Sequence, residues 1–124
     1  MEKVILITGC SSGIGAAMAR AFHSRGHRVF ATARRPETLA ALAEDGIETL
    51  ALDVNSEASI NAALAVVAMQ ERRLDMLVNN AGFSRVGAVL DLEREDLREQ
   101  YETNVIAPMR VVREAMPLLR AAVD

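Results

Sequence analysis

Val4 to Thr8 is a short apolar run rich in β-branched residues and followed by a glycine, the pattern of a strand covered on both faces. The rhythm then changes. From Ile14 to Arg25, Ile14, Met18 and Phe22 recur every four residues with Ala17 and Ala21 beside them, which predicts a helix with small residues free for close packing. Gly26 ends it as a C-cap. Arg28 to Ala33 is a second strand, Pro36 opens a short helix that Gly46 closes, and Ile47 to Leu52 is a third strand. Ser56, with Glu57 and Ser59 after it, begins a helix running to about Glu71. Leu74 to Val78 is a fourth strand, and Asn79-Asn80-Ala81-Gly82 is a turn. The charged stretch from Asp91 to Leu97 predicts a helix with one exposed side, and Asn104 to about Ala121 a further apolar helix. Pro108 stands near its start, and Pro117 is expected to bend or loosen its last turns.

Strands that alternate with helices in this way predict an α/β fold: a doubly wound, Rossmann-like parallel sheet with right-handed crossovers and helices on both faces. The length of 124 residues suits a single domain over 1–124, and 51% apolar with 25% charged residues excludes a disordered chain. A net charge of -3 argues against a nucleic-acid partner, which would need a basic face. Cys10 is the one cysteine, so there is no internal disulfide. No apolar run approaches the roughly 20 residues of a membrane span and no leader-like segment precedes the first strand, so a cytoplasmic protein is expected. His23 and His27, without a clustered acid, make no metal site, and read as surface or helix-end residues.

The chemistry concentrates between the first strand and the first helix. Thr8-Gly9-Cys10-Ser11-Ser12-Gly13-Ile14-Gly15 is a glycine-rich turn where the backbone can bend tightly and approach a pyrophosphate. The following helix offers its N-terminal N–H groups and partial positive charge to the anion. The spacing departs from Gly-x-Gly-x-x-Gly, and Ala16 stands where a triphosphate-binding loop would carry lysine, so ATP or GTP hydrolysis is not expected. A glycine turn with no ligand is the alternative. At the end of the second strand stands Thr32-Ala33-Arg34-Arg35, with no carboxylate to receive a ribose 2′-hydroxyl. A guanidinium fork there suits a 2′-phosphate, which favours NADP over NAD; the same arginines could also simply solvate the surface.

These features together resemble the short-chain dehydrogenase/reductase family: Thr8-Gly9-x-x-x-Gly13-x-Gly15, Asp53-Val54 after the third strand, Asn79-Asn80-Ala81-Gly82 after the fourth, and Asn104 opening the long helix. The resemblance covers essentially the whole chain. It implies a sheet in the order 3-2-1-4, and a cofactor held by Thr8, Gly9, Ser11, Ser12, Gly13, Ile14, Gly15, Arg34, Arg35, Asp53, Val54, Asn80, Ala81 and Gly82. Asp53 would meet the adenine amino group with Val54 near the ring. Asn80, Ala81 and Gly82 would lie along the nicotinamide-side ribose. Asn104 would be the catalytic asparagine that helps hold an ordered water. Ala107 replaces a glycine common in the family three residues beyond that asparagine. Without the family, Asp53 and Asn104 also suit helix caps, and Asn79 and Asn80 suit a turn.

The family's catalytic serine and Tyr-x-x-x-Lys pair are not among these residues. Tyr101 is followed at that spacing by Val105, and the one lysine is Lys3. The expectation is therefore the N-terminal part of an NADP-dependent oxidoreductase acting on a small carbonyl or alcohol, ending before the fifth strand and inert as a reductase alone. The alternative is a non-catalytic nucleotide-binding or self-associating module. An unpaired fourth strand predicts self-association across the sheet edge. Phe83, Val86 and Val89 would line an apolar substrate site or belong to the core.

Overall fold

The computed structural model describes residues 1–84 and 86–123. Four strands, β1 (Val4–Ile7), β2 (Arg28–Ala33), β3 (Glu48–Ala51) and β4 (Met76–Val78), form one parallel sheet in the order β3-β2-β1-β4. Between them run α1 (Gly13–Ser24), a 3-10 turn (Pro36–Leu39) leading into α2 (Ala40–Glu44), and α3 (Glu57–Glu71). After β4 come a 3-10 turn (Val89–Asp91), α4 (Arg94–Tyr101) and α5 (Ala107–Ala121). The doubly wound architecture expected from the alternation is present.

The central strand explains the two-sided layering. Val4, Ile5, Leu6 and Ile7 are all buried, and because successive side chains point to opposite faces, they join two separate clusters. Val4 and Leu6 pack with Ile60, Leu64 and Val67 of α3 and with Ala107, Val111 and Ala115 of α5. Ile5 and Ile7 pack with Ala19 of α1 and Leu39 and Leu42 beside β2. In α3 the buried residues Ile60, Ala63, Leu64 and Val67 follow the i, i+3, i+4, i+7 stripe of a core-facing helix.

Local chemistry sets most boundaries. Gly26, at φ +86°, turns the chain out of α1, its N–H donating to the His23 carbonyl. Ser56 caps α3 by accepting from the Ser59 N–H at 3.2 Å. β4 begins two residues later than the apolar run predicts: the Leu74 N–H donates to the Leu118 carbonyl of α5, and Asp75, whose N–H donates to the Val4 carbonyl, leads into the strand. Pro117 lies inside α5, which nonetheless continues to Ala121. Ala107, Val111 and Ala115 hold its inner face with fully buried small residues.

One expectation is corrected. Asn104 does not open a separate helix: α4 passes directly into α5 through a π-helical turn, Glu102–Ile106, and Asn104 lies within it. No glycine or proline interrupts Arg94 to Ala107, so nothing forces a break there. Helix α5 itself begins at Ala107, with Pro108 in its first turn, where a missing N–H costs least.

Candidate functional site

The carboxyl ends of the strands open onto a cleft of about 1020 Å3. Its walls come from the glycine turn (Gly9, Ser11, Ser12), the end of β2 (Ala33, Arg34), the turn after β3 (Asp53, Val54, Asn55) and the turn after β4 (Asn80, Ala81, Gly82, Phe83). This is where open α/β sheets bind ligands, at the point where the strand order reverses. Here that point lies between β1 and β4.

The glycine turn is locked from beneath. Thr8, 1% exposed, uses its hydroxyl to accept from the N–H groups of Asn80 at 3.0 Å and Ala81 at 2.9 Å, tying the exit of β1 to that of β4. The Asn80 side chain donates back to the Gly9 carbonyl at 3.0 Å. Gly9 (φ +70°) sits so close that a Cβ would lie 2.8 Å from the Ala81 Cα, and one on Gly15 would lie 2.4 Å from the Gly9 carbonyl oxygen. Gly13 is required for conformation instead, with φ +62° and open space around it. Cys10 is buried with its thiol donating to the Ile7 carbonyl, and burial pushes the thiol pKa up, so it is a packing residue and no nucleophile.

What this turn presents to the cleft is the start of α1. Ser12 is its N-cap, yet its side chain makes no capping hydrogen bond, and no acidic residue stands in the first turn. The N-terminal N–H groups and the positive end of the helix dipole are thus left for an anion. Arg34 is an exposed wall residue with no ion-pair partner among the described residues, so a second positive charge faces the same space. Arg35 does not line it; its carbonyl instead accepts from Thr38 at the 3-10 turn. Thr8, Gly13, Ile14 and Gly15 likewise shape the turn from outside the lining.

The third wall is ordered by side-chain turns. The Asp53 carboxylate accepts from the Asn55 N–H at 2.9 Å, and the Asp53 N–H donates to Ser59 Oγ at 2.8 Å. Ser56, and not Asp53, is therefore the cap of α3. Asn104 is not a cap either. Its Oδ1 accepts from the Phe83 N–H at 3.0 Å and its Nδ2 donates to the Phe83 carbonyl at 2.6 Å. This two-point clasp, formed from within the π turn, fixes the chain where it leaves β4 and holds Gly82 so near that a Cβ there would lie 2.9 Å from Asn104 Oδ1.

Phe83, expected as a lining or core side chain, contributes its backbone as the partner of Asn104. The sequence did not single out Asn55, which donates to Thr103 Oγ1 at 2.8 Å, or Glu95, Arg98, Glu99 and Glu102 of the α4 region, which form a charged outer wall. That charged strip was visible in the sequence as a solvated helix face, with no sign that it borders a cleft. Phe83, Val86 and Val89 are exposed and not core residues; Arg85, in the same stretch, lies outside the described residues. No three His, Cys, Asp or Glu side chains gather as a metal site would need, and no helix is long and apolar enough to cross a membrane, both among the described residues.

The family model for short chain dehydrogenases matches residues 3–123. The chain is 44% identical over 124 residues to the short-chain dehydrogenase ptmH of Penicillium ochrochloron, covering 98% of this chain and 46% of that one. It is 39% identical over 112 residues to the NADPH-dependent 1-acyldihydroxyacetone phosphate reductase of Schizosaccharomyces pombe, covering 89% and 38%. Among solved structures, a short-chain dehydrogenase from Streptomyces avermitilis superposes with a TM-score of 0.88 at 40% identity, over 98% of this chain and 46% of that one. The NADPH-bound carbonyl reductase from chicken fatty liver does so with a TM-score of 0.89 at 32% identity, over 98% and 53%. The chain thus spans about half the length of the relatives it matches, and it belongs to the short-chain dehydrogenase family.

Proposed function

We propose that these residues form the cofactor-binding part of a cytoplasmic, NADP(H)-dependent oxidoreductase that moves a hydride between a nicotinamide and the carbonyl or secondary-alcohol carbon of a small molecule. The observation that carries the reading is one cleft with the uncapped start of α1 on its walls together with Arg34, which has no ion-pair partner among the described residues. A dinucleotide carrying a 2′-phosphate presents two anionic groups, and these are the two places that would receive them. The NADPH named for the yeast relative and for the chicken structure supports the same choice over NAD.

In this reading the glycine turn and α1 bind the pyrophosphate through backbone N–H groups. Arg34 takes the 2′-phosphate, with Arg35 adding charge nearby. Asp53 and Val54 receive the adenine, and Asn80, Ala81 and Gly82 support the ribose on the nicotinamide side. The bound nicotinamide supplies hydride chemistry that no side chain can. Asn104 commits one N–H and one lone pair of its side-chain amide to Phe83, and its second amide N–H or its backbone in the π turn would orient an ordered water. The proton donor and the remainder of the substrate site would belong to a protein of the relatives' length.

Titration with NADPH and with NADH by cofactor fluorescence tests this. Loss of a charge-assisted contact to phosphate in Arg34→Ala should weaken NADPH binding about tenfold to a hundredfold and leave NADH within about twofold. Equal affinities for both cofactors, unchanged by the substitution, would remove the case for NADP.

A further inference from the structure

The Asp53–Asn55 turn and the Asn104 turn stand on different walls of the cleft, yet hydrogen bonds and the backbone step from Thr103 to Asn104 join them. Asp53 fixes the backbone of Asn55 by accepting its N–H at 2.9 Å. The Asn55 side chain then reaches across to Thr103, its Nδ2 donating to Oγ1 at 2.8 Å over 48 residues of sequence. Thr103 is 8% exposed and precedes Asn104 within the π turn, and Asn104 clasps the Phe83 backbone at both polar groups.

A π turn is a rare single-turn bulge inside an α-helix, frequent at functional sites. Besides the clasp itself, Thr103 to Asn55 is the side-chain hydrogen bond that leaves Glu102–Ile106 for another wall of the cleft among the described residues. The Glu102–Arg110 ion pair at 3.2 Å stays within the same helical run.

We propose that Asn55 and Thr103 are positioning residues that set the Asn104–Phe83 clasp from the Asp53 turn. The relay makes the segment after β4 respond to what occupies the far wall. Its meaning for a cofactor rests on the dinucleotide reading above, while the mechanical link does not.

Amide hydrogen exchange, followed by NMR on the 124-residue chain without cofactor, decides it. In Asn55→Ala, an exposed position whose loss leaves the core intact, the Phe83 N–H should exchange about fivefold faster, the ratio that one net hydrogen bond gives. The Leu6 N–H in β1 should keep its rate. Thr103→Val should reproduce the effect, and Thr103→Ser, which keeps the hydroxyl, should restore the slow rate. Unchanged Phe83 exchange in Asn55→Ala, or equal acceleration at Phe83 and Leu6, overturns the relay. Adding NADPH to the unsubstituted chain is the separate readout: absence of binding would sink the dinucleotide reading, and the comparison without cofactor would still decide the link.

Discussion

Thr8 shows how much one hydroxyl can organise. It accepts two backbone N–H groups from the segment after β4, so Thr8→Val, nearly the same shape, would leave both without their partner. Each would cost about 1 to 3 kcal/mol if fully buried; both are only part-buried, so urea unfolding of the variant should show a combined loss of about 1 to 3 kcal/mol with an unchanged slope. The sequence placed Thr8 in the glycine turn, but the partners lie more than 70 positions away, and only the pairing of β1 with β4 brings them together. Asp75 was not legible at all. Its carboxylate accepts from the Val4 N–H at 2.7 Å and pairs with Arg73 at 3.1 Å. The Val4 hydrogen bond, with help from Arg73, holds its pKa below the ordinary carboxylate value. A depressed folded pKa means that the unfolded chain takes up the proton first as pH falls. The stabilisation is therefore complete above the ordinary carboxylate range and disappears as pH drops through the folded value. Asp75→Asn should lower stability at neutral pH by about 1 to 2 kcal/mol and flatten the acid limb of the stability curve, as denaturant titrations between neutral pH and pH 3 would show.

Elements with a clear period were legible, and junctions were not. The β1 run declares a strand buried on both faces, because burial selects residue type at a fixed spacing; in α1 the apolar spacing gave the helix but not its inner face, which is Gly15 and Ala19, with Met18 and Phe22 half-buried and Ile14 exposed. The passage from α4 to α5 has no such signature: a π turn adds one residue to a helix without changing composition. The charged Arg94–Tyr101 and the apolar Ala107–Ala121 therefore look like two helices although the chain runs through. The extra residue has a consequence for the site. With α5 anchored by Ala107, Val111 and Ala115, deleting Val105 would let α4 join α5 in plain α geometry and turn Asn104 by about 100° about the axis, away from Phe83. The variant should keep its sheet and melt only a few degrees lower by circular dichroism. Its NADPH affinity should fall at least about tenfold, the effect of about 1.4 kcal/mol lost from binding.

At the scale of the whole molecule the order β3-β2-β1-β4 leaves β4 at an edge among the described residues. The fold class followed from the alternation of strands and helices, but the exposure that this order creates shows only once the strands are placed. Met76 on β4 is 41% exposed, and on the outer face of the α5 run Val105, Met109, Val112 and Met116 are exposed as well. Their spacing of four, three and four is that of a helix-packing seam. An apolar seam beside an unpaired strand edge is a surface that proteins normally cover. A second copy of the 124-residue chain presents the same seam and the same edge. Sedimentation velocity should therefore show association that increases with concentration. Met109→Glu should weaken it by about tenfold or more, since a carboxylate without a partner is costly to bury. The substitution is on an exposed helix position, so the monomer should keep its helical content, and a soluble monomer of the unsubstituted chain at high concentration would overturn the prediction.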